Sequence, residues 1–344
     1  ITMKKINCAI IGCGRIGCGF DDGKNQTIRT HAGSYFNNNR TNLIALCDID
    51  KKKLKKYGKK YSVSNVYTNS SELFSSNQID CVSICTLANS HLELVRQAIS
   101  SGVKAIFLEK PISDTLKNSQ TIIDLCKKNN TILTIDFQRR FDPFYHQIKK
   151  MISENKLGKI QMVNILYGGG TVNTGTHLFD ILRYLFGDIK TISSTLSKNK
   201  SSNNQDPNFD ILIHFKNNLI SHVNSLDYSN YVIFTLDIFG TYGRLQINLV
   251  NNNYVFESTK NSGTISGYKK LKQKTFDYKK SQKPSIYLAI ENIVNCIENK
   301  KQPLSTGIDG YRSLECTIAC QLSAKKGRPI SLPIRDMNYK IYSK

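Results

Sequence analysis

Three short stretches carry the residue types that redox chemistry on an alcohol requires. Gly12, Gly14 and Gly17 stand in a Gly-x-Gly-x-x-Gly spacing directly behind an apolar run. Glycines so placed permit a tight strand-to-helix turn, let backbone approach a pyrophosphate and let the helix pack closely. Glu109-Lys110-Pro111 ends another apolar run. Pro111 disfavours helical geometry at Lys110, which helps fix where that long side chain starts. His177 stands where an amphipathic helix should begin, behind Gly168-Gly169-Gly170 and one turn after Asn173. A lysine can stabilise negative charge developing on an oxygen. An imidazole, with a free pKa of about 6.5, can take a proton from a hydroxyl or return it.

Each stretch has a plainer reading. A lone glycine spacing is a weak signal, a strand-end lysine is ordinarily solvated, and a histidine at a helix entrance is ordinarily buried and hydrogen-bonded. What raises their weight is the order of the elements around them. Residues 5–11, 41–50, 79–89, 103–111 and 131–141 read as strands, with helical patterns such as residues 91–102 between them. Strand alternating with helix over residues 1–137 implies a doubly wound parallel sheet, a Rossmann domain, whose ligands lie beyond the carboxyl ends of the strands. The glycine turn and Lys110 both fall at such ends.

After a helix around residues 142–158 the pattern changes. Alternating segments at 159–167, 209–217, 219–228, 232–241, 243–250 and 253–258 read as a large, mostly antiparallel open-faced sheet. Several of them, such as residues 232–239, look apolar on both faces, which predicts a partner on the sheet. In the helix after His177, the stripe Leu178, Ile181, Leu182 and Leu185 must face the core, and Asn173 or Thr174 can cap the entrance. Two helical patterns close the chain. The expected fold is α/β, with the Rossmann domain over 1–137 and an α/β domain for substrate and oligomerisation over 138–344.

Composition narrows the function. The 344 residues carry a net charge of +22, but the lysines are dispersed and no nucleic-acid fold signature accompanies them, so nucleic acid is not expected as a partner. No apolar run approaches the roughly 18 residues that span a bilayer. Lys4 and Lys5 lead straight into a strand with no signal-peptide pattern. The ten cysteines include no C-x-x-C spacing. Buried, reduced thiols, a cytoplasmic setting and no metal site are the expectation.

Asp48 closes the second strand, where a carboxylate can accept hydrogen bonds from ribose hydroxyls. Its charge would repel a 2′-phosphate, which favours NAD over NADP, although Lys51 nearby keeps NADP possible. Residues 18–30 form a polar insertion before the next helix, either a surface loop or a cover on the site.

Together, the glycine turn, Glu109-Lys110-Pro111, Arg139-Arg140-Phe141-Asp142-Pro143 and the stretch from Gly168 through Asn173 and His177 to Asp180 resemble the Gfo/Idh/MocA oxidoreductases. The resemblance extends to the last helix and spans nearly the whole chain. It implies a nicotinamide cofactor, dimers or tetramers formed through the open sheet, and sugars, cyclitols or nucleotide-activated sugars as substrates. It assigns Lys110 and His177 as the catalytic pair. Gly12, Gly14, Arg15, Ile16, Gly17, Asp48, Thr86, Asn89, His91, Glu109 and Lys110 fall to the cofactor, and Asn173, Asp180, Arg139 and Arg140 to the substrate. Two positions depart from the family pattern: Leu87 stands where proline is usual, and Asn173 where many sugar and inositol dehydrogenases have aspartate. The expected activity is hydride transfer between NAD(P) and a sugar hydroxyl or ketone, on an activated or unusual sugar. An inositol or free-sugar dehydrogenase, a reductase of small diones or an imine, and a non-catalytic nucleotide sensor are the alternatives.

Overall fold

A computed structural model describes residues 5–23, 27–275 and 281–342. The chain divides into two compact units. The first comprises Ile1–Asp142, Ser281–Leu314 and Met337–Lys344, the second Pro143–Lys280 and Glu315–Asp336.

The first unit alternates strand and helix as its apolar runs require. β1 (Ile6–Ile11) leads through the glycine turn to α1 (His31–Asn37) and β2 (Thr41–Cys47). α2 (Lys51–Lys60), β3 (Asn65–Tyr67), α3 (Ser70–Ser76) and β4 (Cys81–Ile84) follow, then α4 (His91–Ser100), β5 (Ala105–Leu108), α5 (Leu116–Lys128) and β6 (Ile132–Ile135). The strands pair in parallel in the order β3-β2-β1-β4-β5-β6. β4 and β5 are buried throughout, as strands covered on both faces must be. The order reverses between β1 and β4, and ligands of such sheets bind beyond the strand ends at that point.

The second unit holds α6 (Pro143–Ser153), β7 (Ile160–Tyr167), α7 (Thr176–Phe186), β8 (Ile189–Leu196), β9 (Phe209–Phe215) and β10 (Ile220–Ser225). Next come β11 (Phe234–Gly240), β12 (Gly243–Asn248), β13 (Asn253–Asn261) and β14 (Lys269–Lys274). The sheet runs β14-β13-β12-β11-β7-β10-β9-β8, with the short β15 (Ile330–Ser331) at its far edge. β7 and β10 pair in parallel and the other neighbours antiparallel.

Two expectations change here. The last third of the chain is not all of one unit. α8 (Ser285–Asn299) packs Ala289, Ile290, Ile293 and Val294 into the first unit's core beside Ile10, Tyr35 and Phe141. α9 (Gly307–Lys326) starts there too, where a methyl on Gly310 would stand 2.9 Å from Ile135. The sheet is also less apolar than residues 232–239 suggested. In β11, Phe234, Leu236 and Ile238 are buried, while Thr235 and Asp237 face outward with Phe239. Thr235 and Asp237, with Asn164, Asn224, Gln246 and Asn248, put polar groups into a shallow hollow of about 480 Å³ that Leu166, Tyr254 and Val255 also line.

Candidate functional site

In the glycine turn, packing within the protein requires glycine at two of the three positions. Gly12 has φ +97°, and a Cβ there would lie 2.6 Å from the carbonyl oxygen of Cys85. A Cβ on Gly17 would strike the carbonyl of Gly12. At Gly14 a Cβ would meet nothing within 4 Å, so this backbone is open to a ligand. Asp48 stands beside the turn: one carboxylate oxygen accepts the Cys13 N–H at 2.7 Å and the other the Asp50 N–H at 2.8 Å. Bare backbone next to a held carboxylate fits the pyrophosphate and ribose of a dinucleotide. The cation nearest this carboxylate among the described residues is Lys53, at 3.9 Å, rather than Lys51.

The insertion at 18–30 is fastened within the first unit; residues 24–26 lie outside those described. Asp21 accepts the Arg29 N–H at 2.5 Å and the hydroxyls of Thr30 and Tyr61. Asp22 meets Lys56 at 2.6 Å, Tyr57 at 2.8 Å and Lys60 at 3.0 Å, all on α2. Burial opposes ionisation of Asp22, but these donors outweigh it and hold its carboxyl down at about 2. The described part of the insertion therefore lies on α2. Arg15 rests over the Phe20 ring at 4.8 Å.

The segment after β4 presents Thr86 half-buried and Asn89 exposed. His91 differs from the expected cofactor contact. It is fully buried, with Nδ1 3.2 Å from the Ile112 carbonyl and Nε2 3.1 Å from the Thr86 carbonyl. Its ring ties this segment to the turn after Lys110. Glu109 is likewise redirected. It is buried, with one oxygen 3.1 Å from His31 Nε2 and the other accepting the Lys110 N–H at 3.2 Å. Burial, and then the charge of Asp136, push its carboxyl up to about 7. Lys110 is half-buried at the end of β5, followed by a cis bond to Pro111. Arg140 is 8% exposed and ion-paired to Asp309 at 2.9 Å, so its guanidinium braces the fold, whereas Arg139 keeps partial exposure.

In the second unit the glycine run is a socket for a carboxylate. Gly169 and Gly170 have φ of +87° and +93°, and a Cβ on Gly170 would overlap Asp206. Asp206 accepts the N–H groups of Val172 at 2.8 Å and Asn173 at 2.9 Å. Asn208 accepts the Gly170 N–H at 2.9 Å, and Ser202 donates to the Gly169 carbonyl at 2.9 Å. The cap therefore comes from the polar loop before β9, not from the side chain of Asn173 or Thr174. Residues Thr171–Gly175 form a π-helical turn that runs into α7. His177 sits in the first turn of α7, half-exposed, while Leu178, Ile181, Leu182 and Leu185 are buried as the stripe predicts. Asn173 is exposed, and its amide donates weakly to the Gly169 carbonyl at 3.4 Å. Asp180, expected at the substrate, is 2% exposed. Asp206, His31 and Asp136 escaped the sequence reading. The signal for Asp206 was a lone Asp-Pro in a loop of asparagines and serines, which nothing ties to residue 170.

The ten cysteines are free, nine of them buried. No described helix is long and apolar enough to cross a membrane.

Two family models match in order: "oxidoreductase family, NAD-binding Rossmann fold" over residues 6–137, and "oxidoreductase family, C-terminal alpha/beta domain" over residues 149–332. D-Apiose dehydrogenase of Paraburkholderia graminis is 23% identical, across 96% of this chain and 91% of its own. scyllo-Inositol 2-dehydrogenase (NAD(+)) of Bacillus subtilis is 25% identical, across 96% of this chain and 97% of its own. The crystal structure of the WlbA dehydrogenase from Bordetella pertussis, in complex with NADH and UDP-GlcNAcA, shares the fold. Its TM-score is 0.77 at 19% identity, over 96% of this chain and 100% of that one. The chain is an oxidoreductase with an NAD-binding domain, and it belongs to the Gfo/Idh/MocA family.

Proposed function

We propose that the protein transfers hydride between NAD and a secondary hydroxyl, or the matching ketone, of an activated or unusual sugar. The observation that carries this reading is the dinucleotide turn, with bare backbone at Gly14 beside the held Asp48 carboxylate; the family resemblance adds Lys110 and His177 as the reacting groups. Lys110 stands at a strand end whose backbone is held by Glu109 and followed by Pro111. His177 stands on a helix whose entrance is locked by Asp206. A bound nicotinamide supplies the hydride acceptor.

Lys110 donates a hydrogen bond to the reacting oxygen and stabilises the charge that grows on it. His177 takes the hydroxyl proton in oxidation and returns it in reduction. Asn173, exposed beside the glycine run, orients a sugar hydroxyl without adding charge. Arg139 serves an anionic part of the substrate. Asp48 accepts the ribose hydroxyls and prefers NAD, since its charge repels a 2′-phosphate. The relatives named for a branched sugar, an inositol and the complex with a UDP-linked sugar acid support the substrate class without choosing within it. The outer face of the nine-stranded sheet pairs with a second copy of the chain, as the family resemblance implies.

The test is a panel of free sugars, cyclitols and nucleotide-linked sugars with NAD and NADP, followed by nicotinamide absorbance. Turnover on at least one sugar alcohol, faster with NAD, is the expected result. Nicotinamide binding without turnover on any of them would favour the sensor reading.

A further inference from the structure

Beneath the strand ends that carry Lys110 lies a buried polar cluster that hydride transfer itself does not require. His31 opens α1 and is completely buried. Its Nε2 lies 3.1 Å from Glu109 Oε1 and 3.5 Å from Asp136 Oδ2. Its Nδ1 lies 2.9 Å from the Ser83 hydroxyl, which lies 2.9 Å from the Tyr35 hydroxyl. Phe107 closes one side, with its ring 4.5 Å from the imidazole. Residues at or near the ends of β4, β5 and β6 thus converge on one side chain from α1.

The outward connections matter most. Glu109 Oε2 accepts the Lys110 N–H at 3.2 Å. Asp136 Oδ2 accepts the Gln138 side-chain amide at 3.1 Å, one residue before Arg139. Asp136 Oδ1 is buried without a hydrogen-bond partner among the described residues. Two carboxylates this close to one imidazole, shielded from water, are tolerable only if the ring is charged or a proton is shared between them.

We propose that His31, Glu109 and Asp136 form a positioning triad for Lys110, in which the His31 ring bridges both carboxyl groups and so fixes the backbone from which the lysine reaches the substrate. This rests on the assignment of Lys110 to catalysis given above. His31 touches neither substrate nor cofactor in this account; it acts through Glu109. The cluster is also the one group of described residues with ligand atoms close enough to hold a metal ion. Its contacts are nevertheless hydrogen-bond contacts, with the other His31 nitrogen and the other Glu109 oxygen already engaged, which favours a proton over a metal.

Protonation gives a readout that mere packing would not. Burial disfavours the charged ring, but Cys85, Asp136 and Glu109 outweigh it and raise the His31 pKa well above the ordinary value. Glu109 is raised to about 7, by burial first. Asp136 is lowered, its hydrogen bond from His31 overcoming burial. The folded state therefore holds protons on His31 and Glu109 more tightly than the unfolded chain. Stability from these two falls as pH rises from about 5 to about 8, whereas the Asp136 contribution is lost only at lower pH.

The experiment compares wild type with His31→Gln, Glu109→Gln and Lys110→Ala. It measures NADH affinity by fluorescence, kcat and KM, and Tm from pH 5 to pH 8. His31→Gln should bind NADH within about twofold of wild type, lose on the order of 10- to 100-fold in kcat with KM little changed, and flatten the fall of Tm with pH. Glu109→Gln, whose amide oxygen still accepts the Lys110 N–H, should flatten the slope and keep more of kcat. If His31→Gln does not fold, Glu109→Gln carries the test through that slope. Normal kcat and an unchanged slope in either variant, while Lys110→Ala is inactive, would overturn the triad alone. An active Lys110→Ala would instead overturn the catalytic assignment. Zinc or another divalent ion retained at one equivalent after purification, and kcat lost on chelation, would replace the proton with a metal.

Discussion

A carboxylate can be read off a sequence far more easily than its partners can. Asp48 stood out because it closes the second strand after a glycine turn, although further along than such acids usually lie, and its carboxylate accepts the Cys13 N–H. Arg140 and Asp180 were visible as charged residues near motifs, yet both are buried, Arg140 on Asp309 from a helix far along the sequence. Partners brought in by tertiary packing leave no local trace, and the same is true of His31 with Glu109 and Asp136. For Asp48 the consequence is measurable. Asp48→Ala should weaken NAD binding more than NADP binding, because it removes an acceptor for the ribose hydroxyls and also the charge that repels a 2′-phosphate. Calorimetric titration showing equal losses for both nucleotides would contradict the assignment.

At the scale of elements, periodicity located most of the helices and strands, while α3, the eight-residue β8 and some short or charged strands stayed hidden. β3 has three residues, and β14 is a run of lysines with one leucine and one glutamine. Lysine at a sheet edge blocks further pairing, so β14 gains its place from the ladder with β13 and not from apolar alternation. The entrance to α7 shows the same division. Its apolar stripe was legible, whereas its cap arrives from Asp206, 33 residues from Asn173. Asp206→Ala leaves two backbone N–H groups without their acceptor and should cost about 2–4 kcal/mol of stability. Because the π-helical turn leads into His177, kcat should fall with it. A thermal melt within a degree of wild type, with unchanged turnover, would show that Asp206 is not the lock on this turn.

For the molecule as a whole, the order of elements made two units and their folds predictable, but the return of α8 to the first unit was not. Its apolar residues are equally suited to either core, and only tertiary packing chooses. The sheet face illustrates the opposite lesson, since one buried side is ordinary for antiparallel sheets and apolar content alone overstated the other. A dimer or tetramer through that face should appear in light scattering at micromolar concentration. A monomeric mass there would remove the second copy from the account.

The whole account turns on one histidine. On a sugar alcohol that wild type oxidises, His177→Ala should retain NAD affinity and lose two to four orders of magnitude in kcat, the range expected for a missing general base. Lys110→Ala should behave alike, with the double variant little worse than either single one, as residues acting together do. Near-normal turnover in His177→Ala would make His177 a packed helix-entrance residue and contradict the mechanism.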